Sequence, residues 1–433
     1  MVATTIRPTR TRTRLSVLFA ATLAIATLTT TVGAASASAS TAPAIHHTNT
    51  VAGYGAGYLA RQLDASGGHF DYGSPDYPDV SDTAYAVLGL HAAGVGRDEA
   101  ATATTYLSTQ LGAPLQGDDG TDNPGLIGYD ILAAVADGRN PYRFGGHAAQ
   151  NNLVARLEAT EQSSGLFGTA DPTYDGAFRQ GIALTALRAA GVPGNNPVVV
   201  RATAWLRGQQ CGNGLWTAYR ADTTVACPAA DPSTFTGPDT NSTGMAAQGL
   251  AAYGQFPRRT TLLNSLNAVR SADGGFGYIA AAGQPSDPDS TALAIQGLLA
   301  EGGNPGAAYP ALASYQLGCS APAENRGAFY YPGNSAPNLL ATVQAVPAAA
   351  GATFPLTPSR PSNNVPVIAC TSTSAATTAA TTQQASYATA AAYAVHVTQA
   401  QAASTAQAGT AGPCSGTSGQ LSLPAAAGSL SGT

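Results

Sequence analysis

Two carboxylates, Asp287 and Asp289, stand two residues apart in the segment Ser286-Asp287-Pro288-Asp289-Ser290-Thr291-Ala292. Acids that share a site compete for charge, so one of them keeps its proton above the ordinary carboxylate range and can act as an acid. Asp289 is the candidate proton donor and Asp287 its neighbour. Four further acids, Asp82, Asp130, Asp175 and Asp239, stand at or just before apolar helical stretches. If those helix starts gather at one end of the fold, the acids form a rim able to bind a ligand. An Asp near a helix N-terminus also caps the helix and suits its dipole, by about 0.5–1 kcal/mol. Trp216 and Phe276 each follow a glycine turn. There an aromatic ring either stacks on a ligand or pins one helix to another.

Several chemistries are excluded. The 433-residue chain has no Lys; its 19 basic residues are all Arg. Lysine Schiff bases, a pyridoxal lysine and a P-loop lysine are therefore ruled out. No Cys-x-x-Cys or His-Glu-x-x-His occurs and the His are dispersed, so neither a metal site nor a cofactor is expected. The Arg beyond residue 37 form no stripe, so nucleic acid is not an expected partner.

The candidates need helices to position them, and a repeat of about fifty residues provides them. The stretches 67–94, 165–191, 273–303 and 327–351 share a glycine–aromatic turn, a polar Pro/Asp loop and an Ala/Leu-rich helix ending at Gly. A further copy spans 212–254 and a degenerate one 125–138. Ser81, Ser242 and Ser290 fit as helix N-caps, with Gly94, Gly254 and Gly302 as stops. These helices are apolar all round, as in TALAIQGLLA (291–300), and a helix of that kind is buried. Before the glycine turns lie helices with a polar face, at 57–63, 151–159, 201–210, 262–271 and 309–317. The pattern predicts an all-α fold of about six helix pairs, an inner and an outer ring closed on each other.

The ends differ from this middle. Residues 1–37 have four Arg, an apolar run from Leu15 to Leu28 and Ala35-Ser36-Ala37, the pattern of a cleavable secretory signal. Its removal takes the formal charge from −5 to −9. No later stretch is apolar enough to span a membrane. The expected product is a secreted or wall-associated monomer. In an oxidising compartment Cys pair. Cys211 with Cys227 and Cys319 with Cys370 are the expected disulfides, leaving Cys414 over. Residues 38–50 read as a linker and 51–356 as the repeat domain. No charged residue follows Arg360, and 357–433 reads as a largely disordered Ala/Ser/Thr-rich tail.

The segments DGGFGY (273–278), SDPDSTALAIQGL (286–298) and SDTAYAVLGL (81–90) resemble the repeats of the terpenoid cyclase and protein prenyltransferase family. The resemblance covers about residues 51–356 and implies an α/α toroid. Squalene–hopene type cyclases use Asp-x-Asp-Asp-Thr-Ala, whose middle Asp protonates an alkene. Asp289 aligns with that acid and Asp287 with its neighbour, while Ser290 replaces the fourth position. Of the residues that hold zinc in the prenyltransferases, Asp175 matches, while Ala177 stands in place of the Cys and Asp82 in place of the His. Three functions follow as expectations. First comes a secreted, non-catalytic protein whose toroid mouth binds a small molecule or a cell-envelope component. The second is an isoprenoid-acting cyclase-like enzyme with Asp289 as acid. The third is a carbohydrate-active enzyme with paired carboxylates.

Overall fold

The computed structural model describes residues 50–370, apart from Pro75, Asp118, Asp119 and residues 170–175. The signal segment, Asp175, Cys414 and the chain beyond 370 lie outside the described residues. In chain order the helices are α1 (Thr50–Ala65), α2 (Val80–Ala93), α3 (Arg97–Leu107), α4 (Pro124–Ala136), α5 (Leu153–Ala159), α6 (Gly176–Ala189), α7 (Pro197–Gln209), α8 (Thr240–Ala251), α9 (Arg259–Ala268), α10 (Pro288–Ala300), α11 (Ala308–Ala313) and α12 (Leu339–Ala349). A two-residue antiparallel pair, β1 (Phe70–Asp71) with β2 (Pro78–Asp79), leads into α2.

The even-numbered helices form the inner ring. Helix α2 packs on α4, α4 on α6, α6 on α8, α8 on α10 and α10 on α12, and α12 returns to α2. The first outer helix, α1, packs on both α12 and α2. The inner ring therefore closes, with α1 laid over its seam, and the fold is an all-α toroid. The inner helices are buried around nearly their whole circumference, as their uniformly apolar sequences require. Small residues let them meet backbone to backbone. A Cβ on Gly244 of α8 would stand 2.3 Å from the Leu293 carbonyl oxygen of α10.

A recurrent pin joins the glycine turn to the inner helix that follows it in five of the six copies, those leading into α2, α6, α8, α10 and α12. The backbone N–H of Phe70 donates to Thr83 Oγ1 at 2.9 Å. Trp216 does the same to Thr243 and Phe276 to Thr291, each at 3.0 Å, and Phe329 to Thr342 at 2.9 Å. In the copy before α6, Phe167 donates to Gln180 Oε1 at 3.0 Å. The rings of Phe167, Trp216, Phe276 and Phe329 are completely buried. The glycine before the last of these shows why the turn needs that residue. Gly327 has φ 96°, and a Cβ on it would lie 2.3 Å from the Tyr54 carbonyl oxygen of α1. This contact packs the last glycine turn directly on the first helix.

Three expectations are corrected. The inner helices α2, α8 and α10 are capped by Asp79, Asp239 and Asp287, not by Ser81, Ser242 and Ser290. Each Asp accepts a hydrogen bond from the backbone N–H three residues on, at 2.9, 2.7 and 2.7 Å. The outer helix α3, too rich in Thr to stand out, completes the set. The ordered fold also runs past 356. Phe354 is buried, and residues 359–366 form a strap over the C-terminal end of α2, the start of α3 and the middle of α1. Ser362 N donates to Gly94 O at 2.9 Å, Arg97 N to Ser362 O at 3.2 Å and Gly96 N to Asn364 O at 3.2 Å. His91 Nδ1 and Ser359 Oγ lie 3.2 Å apart. The strap ends at the Cys319–Cys370 disulfide, and Cys211 is joined to Cys227, as expected.

Candidate site at the mouth of the inner ring

The inner helices begin at one end of the ring, and five of them, α2, α4, α8, α10 and α12, are capped there by Asp79, Asn123, Asp239, Asp287 and Asn338. With Asp287 capping α10, Asp289 is released from that duty. It lies in the first turn, 6% exposed, and its Oδ1 has no hydrogen-bond partner. Burial, and then the nearby Asp287 charge, hold its carboxyl well above the usual carboxylate range. Asp82, in the first turn of α2, is half-buried. Burial raises its carboxyl too, followed by Asp79 and by Asp289. Asp82 and Asp289 thus occupy the first turns of α2 and α10, with α12 between their helices in the ring. Asp287 is pushed up to about 6 by burial, opposed by the hydrogen bonds it accepts as a cap.

Tyrosines fill the space beneath these acids. The ring centroids of Tyr85 of α2 and Tyr129 of α4 are 5.3 Å apart. Tyr85 is 2% exposed and its hydroxyl has no partner. Burial, Tyr129, Asp289 and Asp82 all raise the Tyr85 phenol, so it stays neutral. Tyr331, just before α12, is buried and feels both Asp287 and Asp289. None of these tyrosines was singled out from sequence. Tyr85 and Tyr129 look like ordinary core positions on apolar helices. Tyr331 had a signal, because a Tyr stands two residues after the pinning aromatic in Phe70-Asp71-Tyr72, Phe276-Gly277-Tyr278 and Phe329-Tyr330-Tyr331.

Below Tyr85 the axis is filled. Phe354 packs on Tyr85 with ring centroids 5.6 Å apart, and its N–H donates to Gln248 Oε1 of α8 at 2.8 Å. Helices α2 and α8 face each other across the ring, so a residue touching both lies on the axis. Gln296 of α10 donates to Ala352 O at 3.2 Å and holds the same segment. From mouth to base the axis therefore reads carboxyls, phenols, then a phenylalanine plug.

The other sequence candidates lie elsewhere. Asp239 caps α8, is 2% exposed and is pushed up to about 7 by burial. Asp130 lies in the middle of α4 rather than at its start, wholly buried with neither carboxylate oxygen partnered. Burial raises it well above the usual range, and Arg156 pulls it down only in part. Trp216 and Phe276 are inside the protein as pins; the Trp216 indole donates to Leu206 O of α7 at 2.8 Å. Among the described residues no three His, Cys, Asp or Glu side chains gather as a metal site. No described helix is long and apolar enough to cross a membrane.

No family model and no curated protein matches the chain. Among solved structures it is similar to a type II terpene cyclase from Scytonema, with 14% identity, 70% of this chain and 97% of that chain covered, and a TM-score of 0.46. It is similar to a protein from Actinoplanes at 16% identity over 70% and 98% of the two chains, TM-score 0.46. It is also similar to an unsaturated glucuronyl hydrolase from Bacillus sp. GL1, at 14% identity over 69% and 95%, TM-score 0.48. The ring closure rests on the helix contacts given above.

Proposed function

We propose that this protein is a secreted, non-catalytic toroid-domain protein that holds a small molecule at the N-terminal mouth of its inner ring. The observation that supports this is Phe354. Among the described residues Phe354 and Tyr85 stand on the ring axis, where an isoprenoid chain would need a deep apolar channel, while unpartnered polar atoms remain nearer the mouth. Buried polar atoms without partners are costly, and a bound ligand supplies what they lack. Two disulfides suit an oxidising compartment outside the cytosol.

A second reading, a cyclase-like enzyme, is favoured by Asp289. Burial, and then the Asp287 charge, raise its carboxyl and favour the protonated form that a general acid needs. Mass spectrometry of small molecules that co-purify with the exported protein separates the two. The binding reading expects a retained compound that is recovered unchanged after prolonged incubation with the pure protein. Conversion of that compound, or cyclisation of an added polyprenyl substrate with multiple turnovers, would overturn it.

A further inference from the structure

We infer that a groove on the outer surface, between the glycine turn after α1 and the exposed face of α3, binds a neutral sugar ring of a glycan chain against Tyr106. The groove shares no residue with the mouth, and the inference stands apart from the reading of the mouth given above. Three observations carry it.

The first is the space itself. The groove has a volume of about 420 Å³ and is lined by Gly67, Ala101, Thr102, Thr105 and Tyr106. That volume falls within the range of about 300–1,000 Å³ usual for small-molecule sites. Its wall is firmly placed. A Cβ on Gly68 would stand 2.6 Å from Thr102 Cγ2, so the turn is seated tightly on α3. One residue earlier, a Cβ on Gly67 would meet nothing within 4 Å, so Gly67 borders open space. Thr102 and Thr105 are exposed, so the groove admits a sugar within a chain as well as a chain end.

The second observation is a fixed aromatic platform. The Tyr106 ring stacks on His69, with centroids 3.8 Å apart and planes 8° apart. His69 Nε2 lies 3.3 Å from Asp71 Oδ1, and Phe70 between them is pinned to Thr83. Tyr106 is thus held before a ligand arrives, which lowers the ordering cost of binding. His69 covers one face of the ring, and the other face and the edge are what Tyr106 offers the groove. The third observation is the polarity of the lining. No lining side chain is charged. Arg139 donates to Thr105 Oγ1 at 3.0 Å but is itself paired with Asp137 at 3.0 Å. Thr102 and Thr105 direct their hydroxyl protons to the Asp98 and Ala101 carbonyls, at 2.8 and 2.7 Å, so their oxygens face a ligand as acceptors. This lining suits an uncharged ligand with an apolar C–H face for Tyr106 and Ala101 and with hydroxyls that donate to the threonines. A pyranose ring has both, whereas a charged ligand finds no partner on the floor.

The test titrates cellohexaose, chitohexaose and maltohexaose calorimetrically into the full secreted chain. At least one is expected to bind with a Kd below about 1 mM. Tyr106→Ala removes the platform and Ala101→Leu fills the floor, and each should weaken that binding at least about tenfold. Tyr142→Ala, at an exposed tyrosine outside the groove, should leave it unchanged. Melting curves show which variants fold, and Ala101→Leu decides alone if Tyr106→Ala does not. No binding of any of the three sugars overturns the inference. So does binding that keeps its wild-type strength in a folded groove variant, which would place the sugar elsewhere, or an equal loss in Tyr142→Ala. The reading of the mouth is judged separately, by the co-purified compound.

Discussion

Asp287 accepts the backbone N–H of Ser290 at 2.7 Å and thereby starts α10. Two residues on, Asp289 sits in the same turn with nothing to cap and a buried oxygen without a partner. Neighbouring acids in one tripeptide thus have different duties, one structural and one facing the axis.

That division predicts opposite responses to substitution. Asp287→Ala removes the cap and should destabilise the protein by about 1 kcal/mol, whereas Asp287→Asn should restore most of this. Asp289→Asn should change stability by less than about 1 kcal/mol, because an amide is no worse than an unpaired buried carboxyl. Urea melts of the three variants at constant pH check this. A larger loss for Asp289→Asn than for Asp287→Ala would contradict the assignment.

Stability should fall as pH rises. Asp239 is pushed up to about 7, Asp287 to about 6 and Glu301 to about 7, each by burial. A carboxyl raised in the folded state contributes stability that is full below the unfolded value of about 4 and is lost as pH climbs through the folded value. The protein should thus be more stable at pH 5 than at pH 8, by on the order of a few kcal/mol. Asp239→Asn keeps an acceptor for Ser242 and removes one ionising group, so it should flatten the profile. Denaturant melts across that range measure both effects, and a profile that rises with pH would refute the prediction.

Gly244→Ala should reverse the usual helix preference. In an exposed helix the change stabilises by about 1 kcal/mol. Here the new methyl would meet the Leu293 carbonyl oxygen of α10 at 2.3 Å, and that backbone belongs to a packed helix. A net loss of about 1–3 kcal/mol is expected. Gly208→Ala is the control, since nothing lies within 4 Å of the added atom. Equal stability of the two variants would show that the inner helices can separate freely.

Phe354→Ala should cost about 3–5 kcal/mol, the range for a fully buried Phe. A double-mutant cycle with Tyr85→Leu should return a coupling of about 0.5–1.5 kcal/mol for the ring pair. Additive losses would mean that Phe354 and Tyr85 do not share the axis.

Much of the architecture was legible because each copy repeats a glycine–aromatic turn and a helix without a polar face. The helix starts were misread by a few residues for a local reason. Asp and Ser are both good caps, and at α10 both occur within one turn. Pro288 decides between them. The residue before a proline avoids helical angles, so Asp287 stays outside the helix and Ser290 falls within it. At the site, Asp82, Asp287 and Asp289 were found from sequence because acids are rare on apolar helices. Tyr85 and Tyr129 were hidden because a tyrosine on a buried helix has the same pattern whether it faces an outer helix or the axis. Phe354 and the strap lie beyond the last repeat. The strap is held mainly through backbone groups such as Ser362 N and Asn364 O, which leave no trace in side-chain composition.

The seam joins Gly94 to Ser362, residues 268 apart in the chain. An open array of repeats can lose its last unit and keep the rest. A hoop cannot, because without α12 and the strap both α2 and α10 expose a face that has no other cover. Its final contact also spans 268 residues of chain, so loop closure delays it until most of the polypeptide is available. During synthesis the emerging repeats therefore remain unlocked, and a ribosome that stops early leaves a chain that never latches and is open to proteases. Ring closure thus acts as a completeness check, passed only by a molecule made through to residue 366.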